Sequence, residues 1–245
     1  MTTIRRASFR WGCAVRVAVG TLALLAVASH VSAQTNEDSG IWLGGFANGK
    51  LPPALNNEAG SWRLWMDVQA RFGDGASQFS QGVLRPGIGY TLGRGWSIWG
   101  GYGYIRTDAP YATVSTSEHR IWEQVIWSRT FGRTALSSRT RVEQRFVSTG
   151  TDVGWRVREF VKMARPLGSR RIWSAVVSDE YFANVNDTNY GATAGPDRNR
   201  FFIGPGVKLN KSLNVEVGYL NQYTFRKNGP DKNDHLFATN VFWSF

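Results

Sequence analysis

A chain of 245 residues with 14 Phe, 11 Trp, 8 Tyr and 27 Gly, but 1 Cys and 3 His, has the bulk of one large domain and lacks the ligands of most metal and thiol chemistries. One cysteine excludes a disulfide framework, and 13% aromatic residues exclude disorder, because they can bury enough apolar surface to offset the ordering entropy. Charged residues are only 19%, yet 29 Lys and Arg against 18 Asp and Glu give a formal charge of +11; with a mean hydropathy of -0.30, an ordinary soluble helical enzyme fits poorly.

The first 33 residues read as a signal peptide. Arg5, Arg6, Arg10 and Arg16 precede an apolar run from Val17 to Ala28, and Val31-Ser32-Ala33 places small residues at a cleavage site after Ala33. The run has 12 residues, too few for a helical span of about 20. Cleavage removes four basic residues and no acids, leaving 25 against 18 and a charge of +7. Arg10, Trp11 and Gly12 ahead of Cys13 are no lipoprotein signal, and Phe9 stands one place too late after Arg5-Arg6 for a twin-arginine signal, which points to general secretory export.

No later stretch approaches a transmembrane helix, so a membrane protein of this sequence has to be a closed β-barrel that satisfies its own backbone. Residues 34–60 form an N-terminal segment in which 41–51 (IWLGGFANGKL) reads as a plug, as an edge pairing, or as half of an extra hairpin in a twelve-strand barrel. From Trp62 to Phe72 every even position is apolar while the odd ones carry Arg63, Trp65, Asp67, Gln69 and Arg71, which is the period of a strand. Ten strands follow, near 61–72, 80–92, 96–107, 116–131, 134–148, 154–167, 171–185, 199–209, 213–225 and 235–245. Tight turns at 93–95, 132–133, 168–170 and 210–212 alternate with long connections at 73–79, 107–116, 148–154, 185–199 and 226–234, as in barrels with short periplasmic turns and longer outer loops. An even count of ten puts both chain ends on the periplasmic side. The fold class is therefore an all-β transmembrane antiparallel barrel spanning 61–245, and Val241, Trp243 and Phe245 at alternate terminal positions read as its insertion signal.

Charges within the strands fall into sets of one parity. Arg63, Asp67 and Arg71 form the first, and Glu118, Arg120 and Gln124 the next. Then come Arg139, Arg141, Glu143 and Arg145, followed by Arg156, Arg158 and Lys162. Glu180 with Asn184, Arg200 with Lys208, and Glu216 complete the ladder. Arg or Lys facing lipid at the midplane costs about 2–4 kcal/mol, so these sets point into the lumen, where eleven basic and five acidic side chains make a charged, net positive interior. Glu123 and Glu159 have the opposite parity, for which a bulge or change of register is expected.

The order of Glu118-x-Arg120-x-Trp122-x-Gln124, Arg139-x-Arg141-x-Glu143-Gln144-Arg145, Arg156-x-Arg158, Glu180-x-Phe182-x-Asn184, Asn199-Arg200-x-x-x-Gly204-x-Gly206 and Glu216-x-Gly218-Tyr219 resembles the family named domain of unknown function 2490. Arg85-Pro86-Gly87 and Gly101-Tyr102-Gly103-Tyr104 are similar to its glycine-rich strand pair, and the long 51–61 connection departs from its pattern. The resemblance implies a secreted bacterial outer-membrane barrel with no assigned role.

Three functions use such a barrel. A structural or binding barrel with a filled lumen needs nothing beyond the charge ladder, a small pore would use the same ladder to prefer anions, and an outer-membrane hydrolase would need a nucleophile and base within hydrogen-bond reach. His119 follows Glu118 and His235 follows Asp234, and neighbours along a strand diverge, so no catalytic residue, metal ligand or cofactor site is assigned. The expected partners are outer-membrane lipid, lipopolysaccharide meeting exposed Arg226, Lys227 and Lys232, the barrel-assembly machinery, and small anions. Nucleic acid is not among them, since acids share the strand faces of the bases.

Overall fold

The computed structural model describes residues 35–52 and 61–245, so the signal segment 1–33 lies outside the described residues. Eleven strands close into one barrel. They are β1 (Asn36–Lys50), β2 (Ser61–Gly73), β3 (Gln78–Gly93), β4 (Trp96–Thr107), β5 (Thr116–Phe131) and β6 (Thr134–Val147). The rest are β7 (Val153–Pro166), β8 (Trp173–Asn184), β9 (Gly195–Lys208), β10 (Leu213–Thr224) and β11 (Lys232–Ser244).

The expected count of ten is corrected by β1, and the alternative of twelve falls with it. The 41–51 stretch is neither plug nor one-sided edge pairing. It pairs antiparallel with β2 from Ile41↔Phe72 to Lys50↔Arg63, and parallel with β11 from Asn36↔Lys232 to Asn48↔Ser244. Without it, β2 and β11 would each present an unpaired edge, and closure removes both. An odd count forces the parallel seam and sets the start of β1 and the end of β11 at opposite rims. Asn36 enters at the rim of the long connections, and Phe245 finishes at the rim of the short turns, which overturns the expectation of both ends on one side.

Period two decides which side chains turn inward. In β5, Glu118, Arg120, Trp122 and Gln124 are buried while His119, Ile121, Glu123 and Val125 are exposed. The other strands follow suit, so Leu64, Met66, Val68, Ile88, Ile98, Val161 and Ile203 lie on the outer surface. Glycine makes room for the largest inward ring: a Cβ on Gly87 would stand 2.5 Å from Trp122, and one on Gly101 2.4 Å from it. At the β3–β4 turn, Gly93, Arg94 and Gly95 all take positive φ (83°, 53° and 88°), which glycine adopts without steric cost.

Two local expectations change. The β5–β6 and β6–β7 registers run unbroken past Glu123 and Glu159, so neither carries a bulge; both keep their outward parity, and Ser138 Oγ (2.7 Å) and Thr140 Oγ1 (2.5 Å) donate to Glu159. Register shifts occur instead at Arg71/Phe72, Thr91/Gly93 and Phe182/Ala183. The last lets Gly195–Arg198 extend β9 into the expected 185–199 loop.

Candidate functional site: the barrel interior

Glu143, on β6, is fully buried and collects cations from three other strands, β3, β5 and β7, and from Arg141 of its own strand. Its Oε1 accepts from Arg158 Nη1 at 2.6 Å, and its Oε2 from Arg156 Nη2 at 2.6 Å. Arg120, Arg141 and Arg85 stand further out at 3.6, 3.7 and 3.9 Å. Low local dielectric strengthens such contacts, and it also makes each group expensive to leave without its partner.

Smaller clusters surround this hub. Glu118 accepts from Arg120 Nε (2.7 Å) and Arg145 Nε (2.6 Å). Glu180 accepts from Arg158 Nη2 (2.7 Å) and Arg139 Nη2 (2.5 Å). Lys162 on β7 reaches past two strands to Glu216 on β10 at 2.5 Å, and Arg141 donates to Gln124 while lying against Trp122, its Cζ 4.5 Å from the ring centre. Asp67 pairs with Arg85 at 2.6 Å.

The other ladder residues sit apart from the hub. Arg63 donates to Asn48 Oδ1, buried Asn184 donates to the Thr193 carbonyl, and Lys208 is exposed at the end of β9. Arg71 has neutral partners: it donates to Gln69 and Gln81 and lies on Trp42, with Cζ 3.9 Å from the ring centre. Arg200, which donates to Gln222, approaches Trp42 at 4.9 Å.

Five interior charges escaped the sequence reading. Arg85 stands singly on β3, and its parity with buried Val83 was the available signal. Asp197 and Arg198 fell in the supposed 185–199 loop, while Lys232 and Asp234 fell at the edge of the 226–234 loop. Asp197 bonds Arg156 and Arg198, and Asp234 bonds Lys232 at 2.9 Å.

Two cavities lie among the described interior residues. One, of about 310 Å³, opens toward the long-connection rim; the other, of about 370 Å³, lies toward the short-turn rim. Trp42, Arg71, Arg85, Arg158 and Arg200 line both, and thus form the partition between them. From the β4–β5 loop, Tyr111 receives a hydrogen bond from Trp42 Nε1 at 3.0 Å, and burial raises its pKa above the ordinary tyrosine value, so the hydroxyl stays protonated. In the same loop Asp108 is held below the usual carboxylate range by Ser115 and Arg106.

The two described histidines lie on the outer face of the barrel. His119 and His235 face outward, each beside a tyrosine hydroxyl (Tyr102 and Tyr219), while the adjacent acids Glu118 and Asp234 are buried inside. No cluster of three or more His, Cys, Asp or Glu that could hold a metal occurs among the described residues.

Fold and interior together define a closed β-barrel of inverted polarity, charged within and apolar without. The family model "Protein of unknown function (DUF2490)" matches residues 39–233, and the chain belongs to this family. An uncharacterized protein of Methylorubrum extorquens is 34% identical over 231 residues, covering 93% of this chain and 96% of that protein. Among solved structures, the outer-membrane expressed OmpT of Vibrio cholerae aligns with a TM-score of 0.39 at 17% identity, over 74% of this chain and 62% of that one.

Proposed function

We propose that this protein is an outer-membrane barrel that works by binding, with an interior closed by its own charged side chains. Membrane residence is supported by the inverted polarity. A soluble protein rarely exposes a contiguous apolar surface of more than a few hundred Å², whereas here most strands present large apolar residues outward. Exposed Val241, Trp243 and Phe245 suit recognition by the barrel-assembly machinery, and the signal pattern of residues 1–33 suits secretory export. By the usual asymmetry of such barrels, the short turns face the periplasm and the long connections face outward, toward lipopolysaccharide.

Closure rests on one observation above the others: Glu143 and Arg141 are both fully buried at mid-barrel, with Arg156 and Arg158 packed on the same carboxylate. Side chains crossing there occupy the lumen that an anion-preferring pore would need. A hydrolase reading lacks a carboxylate on either imidazole. The test is membrane fractionation followed by reconstitution into planar bilayers: a heat-modifiable outer-membrane protein without steady conductance is expected, and recovery in the soluble fraction overturns the reading.

A further inference from the structure

We propose that the cavity at the long-connection rim is a binding site for a phosphate-bearing anion, with Arg71 and Arg200 at its floor, both packed on Trp42. The charged side chains lining it are nine arginines and Lys232 against only Glu118 and Asp234. Both acids are already engaged: Glu118 holds Arg120 and Arg145, and Asp234 holds Lys232 and the Gln222 amide. The floor therefore keeps a positive excess.

Among the lining cations turned away from solvent, Arg71 and Arg200 are those that carboxylates balance least. Arg71 is 6% exposed, its hydrogen bonds go to the neutral amide oxygens of Gln69 and Gln81, and among the described residues it has no ion pair. Arg200 donates to Gln222 at 2.8 Å, and its nearest paired carboxylate oxygen, on Glu180, stands at 4.0 Å. A buried charge is costly unless it is paired, so two such guanidiniums packed on one ring call for an anion on their cavity side. Three buried side-chain atoms of the same lining, Arg85 Nε, Tyr190 Oη and Asp234 Oδ1, have no hydrogen-bond partner, and the last is neutralised by its ion pair with Lys232 at 2.9 Å.

A tetrahedral phosphate suits this arrangement better than a carboxylate. It offers three or four acceptor oxygens, guanidinium forks bind such oxygens in pairs, and a cavity of about 310 Å³ admits a phosphorylated sugar. The same chemistry comes from free inorganic phosphate or from the phosphorylated sugar headgroup of a lipid. The inference rests on the closed-barrel reading, because a conducting lumen would screen these arginines with passing counter-ions.

The test is titration calorimetry of the full detergent-folded barrel with inorganic phosphate and, separately, with glucosamine 1-phosphate, paired with thermal unfolding in each. Saturable binding and a raised unfolding temperature are expected, with affinity lowered about tenfold or more by Arg71→Gln or Arg200→Gln, a loss of about 1.4 kcal/mol. Lys211→Gln, at the opposite rim, should bind as the unaltered protein does. Tighter binding of the sugar phosphate indicates a lipid headgroup, and equal binding indicates free phosphate. If either arginine variant does not fold, the phosphate-dependent unfolding shift of the unaltered protein decides. No heat and no shift with either ligand, or affinity untouched by both arginine substitutions, overturns the site. Conductance of the same preparation separates the two readings: a silent bilayer without phosphate binding defeats only the site, and a conducting barrel that binds phosphate defeats only the closure.

Discussion

Arg158 donates to Glu143 at 2.6 Å with both side chains almost fully buried, 3% and 0% exposed, so neither charge has solvent to turn to if the other is lost. Removing one member of a buried pair typically costs about 3–5 kcal/mol. Glu143→Ala should cost at least that much, since Arg156 loses its 2.6 Å contact at the same carboxylate. Urea unfolding in lipid vesicles measures it. A loss below about 1 kcal/mol, the scale of an exposed pair, would contradict the buried hub.

Arg141→Ala and Thr140→Ala compare the two faces of one strand. Arg141 is fully buried and bonds Gln124, whereas Thr140 faces outward and donates to Glu159. Arg141→Ala should lower the unfolding temperature strongly. Thr140→Ala should cost one hydrogen bond, about 1 kcal/mol. Equal effects would mean that β6 has its faces exchanged.

Much of this was legible in the sequence because period two is unambiguous where polar and apolar residues alternate, as from Trp62 to Phe72, where every even position is apolar. The legible part was parity, and the illegible part was depth and partner. Asp197 and Arg198 follow Pro196 in a polar stretch that reads as loop, and only the Phe182/Ala183 register shift carries the strand that far. The first strand eluded the count for another reason: a parallel seam has no turn to announce it, and Asn36 and Lys232 lie at opposite ends of the chain. That Glu143 rather than Glu118 or Glu180 is the hub depends on which strands meet across the lumen, which no local pattern encodes.

Gly87 should tolerate no side chain while Trp122 is present. Its Cβ would stand 2.5 Å from Trp122 Cη2 and 3.0 Å from the Gly100 carbonyl oxygen. Gly87→Ala should therefore destabilise by about 1–3 kcal/mol. In a double-mutant cycle, Trp122→Leu should absorb part of that loss, since residues in contact are non-additive. Strict additivity would place the ring elsewhere.

Phe245 closes the seam. Its ring covers Gly49, its N–H donates to the Asn48 carbonyl, and its carbonyl accepts from Lys50 N at 3.2 Å. Deleting Phe245 should reduce the heat-modifiable fraction on unheated gels far more than deleting Asn228 in the β10–β11 loop. If both deletions fold equally well, the seam does not depend on its terminal residue.

The partition around Trp42 makes the last prediction. Trp42, Arg71, Arg85, Arg158 and Arg200 line both cavities, and Trp42 is the one large uncharged side chain among them. The unaltered barrel should give no steady current. Trp42→Ala removes the ring on which Arg71 and Arg200 pack and should join the cavities, while leaving the arginines in place. The path so opened should prefer anions, because fixed positive charge in a low-dielectric channel concentrates them. The reversal potential in a salt gradient reads that preference, and Glu180→Gln added to Trp42→Ala should strengthen it by removing a negative charge from the lining. A cation-preferring current from Trp42→Ala would mean that the arginines do not govern the passage, and a current unchanged from the silent parent would mean that the Glu143 hub closes the lumen without help from the ring.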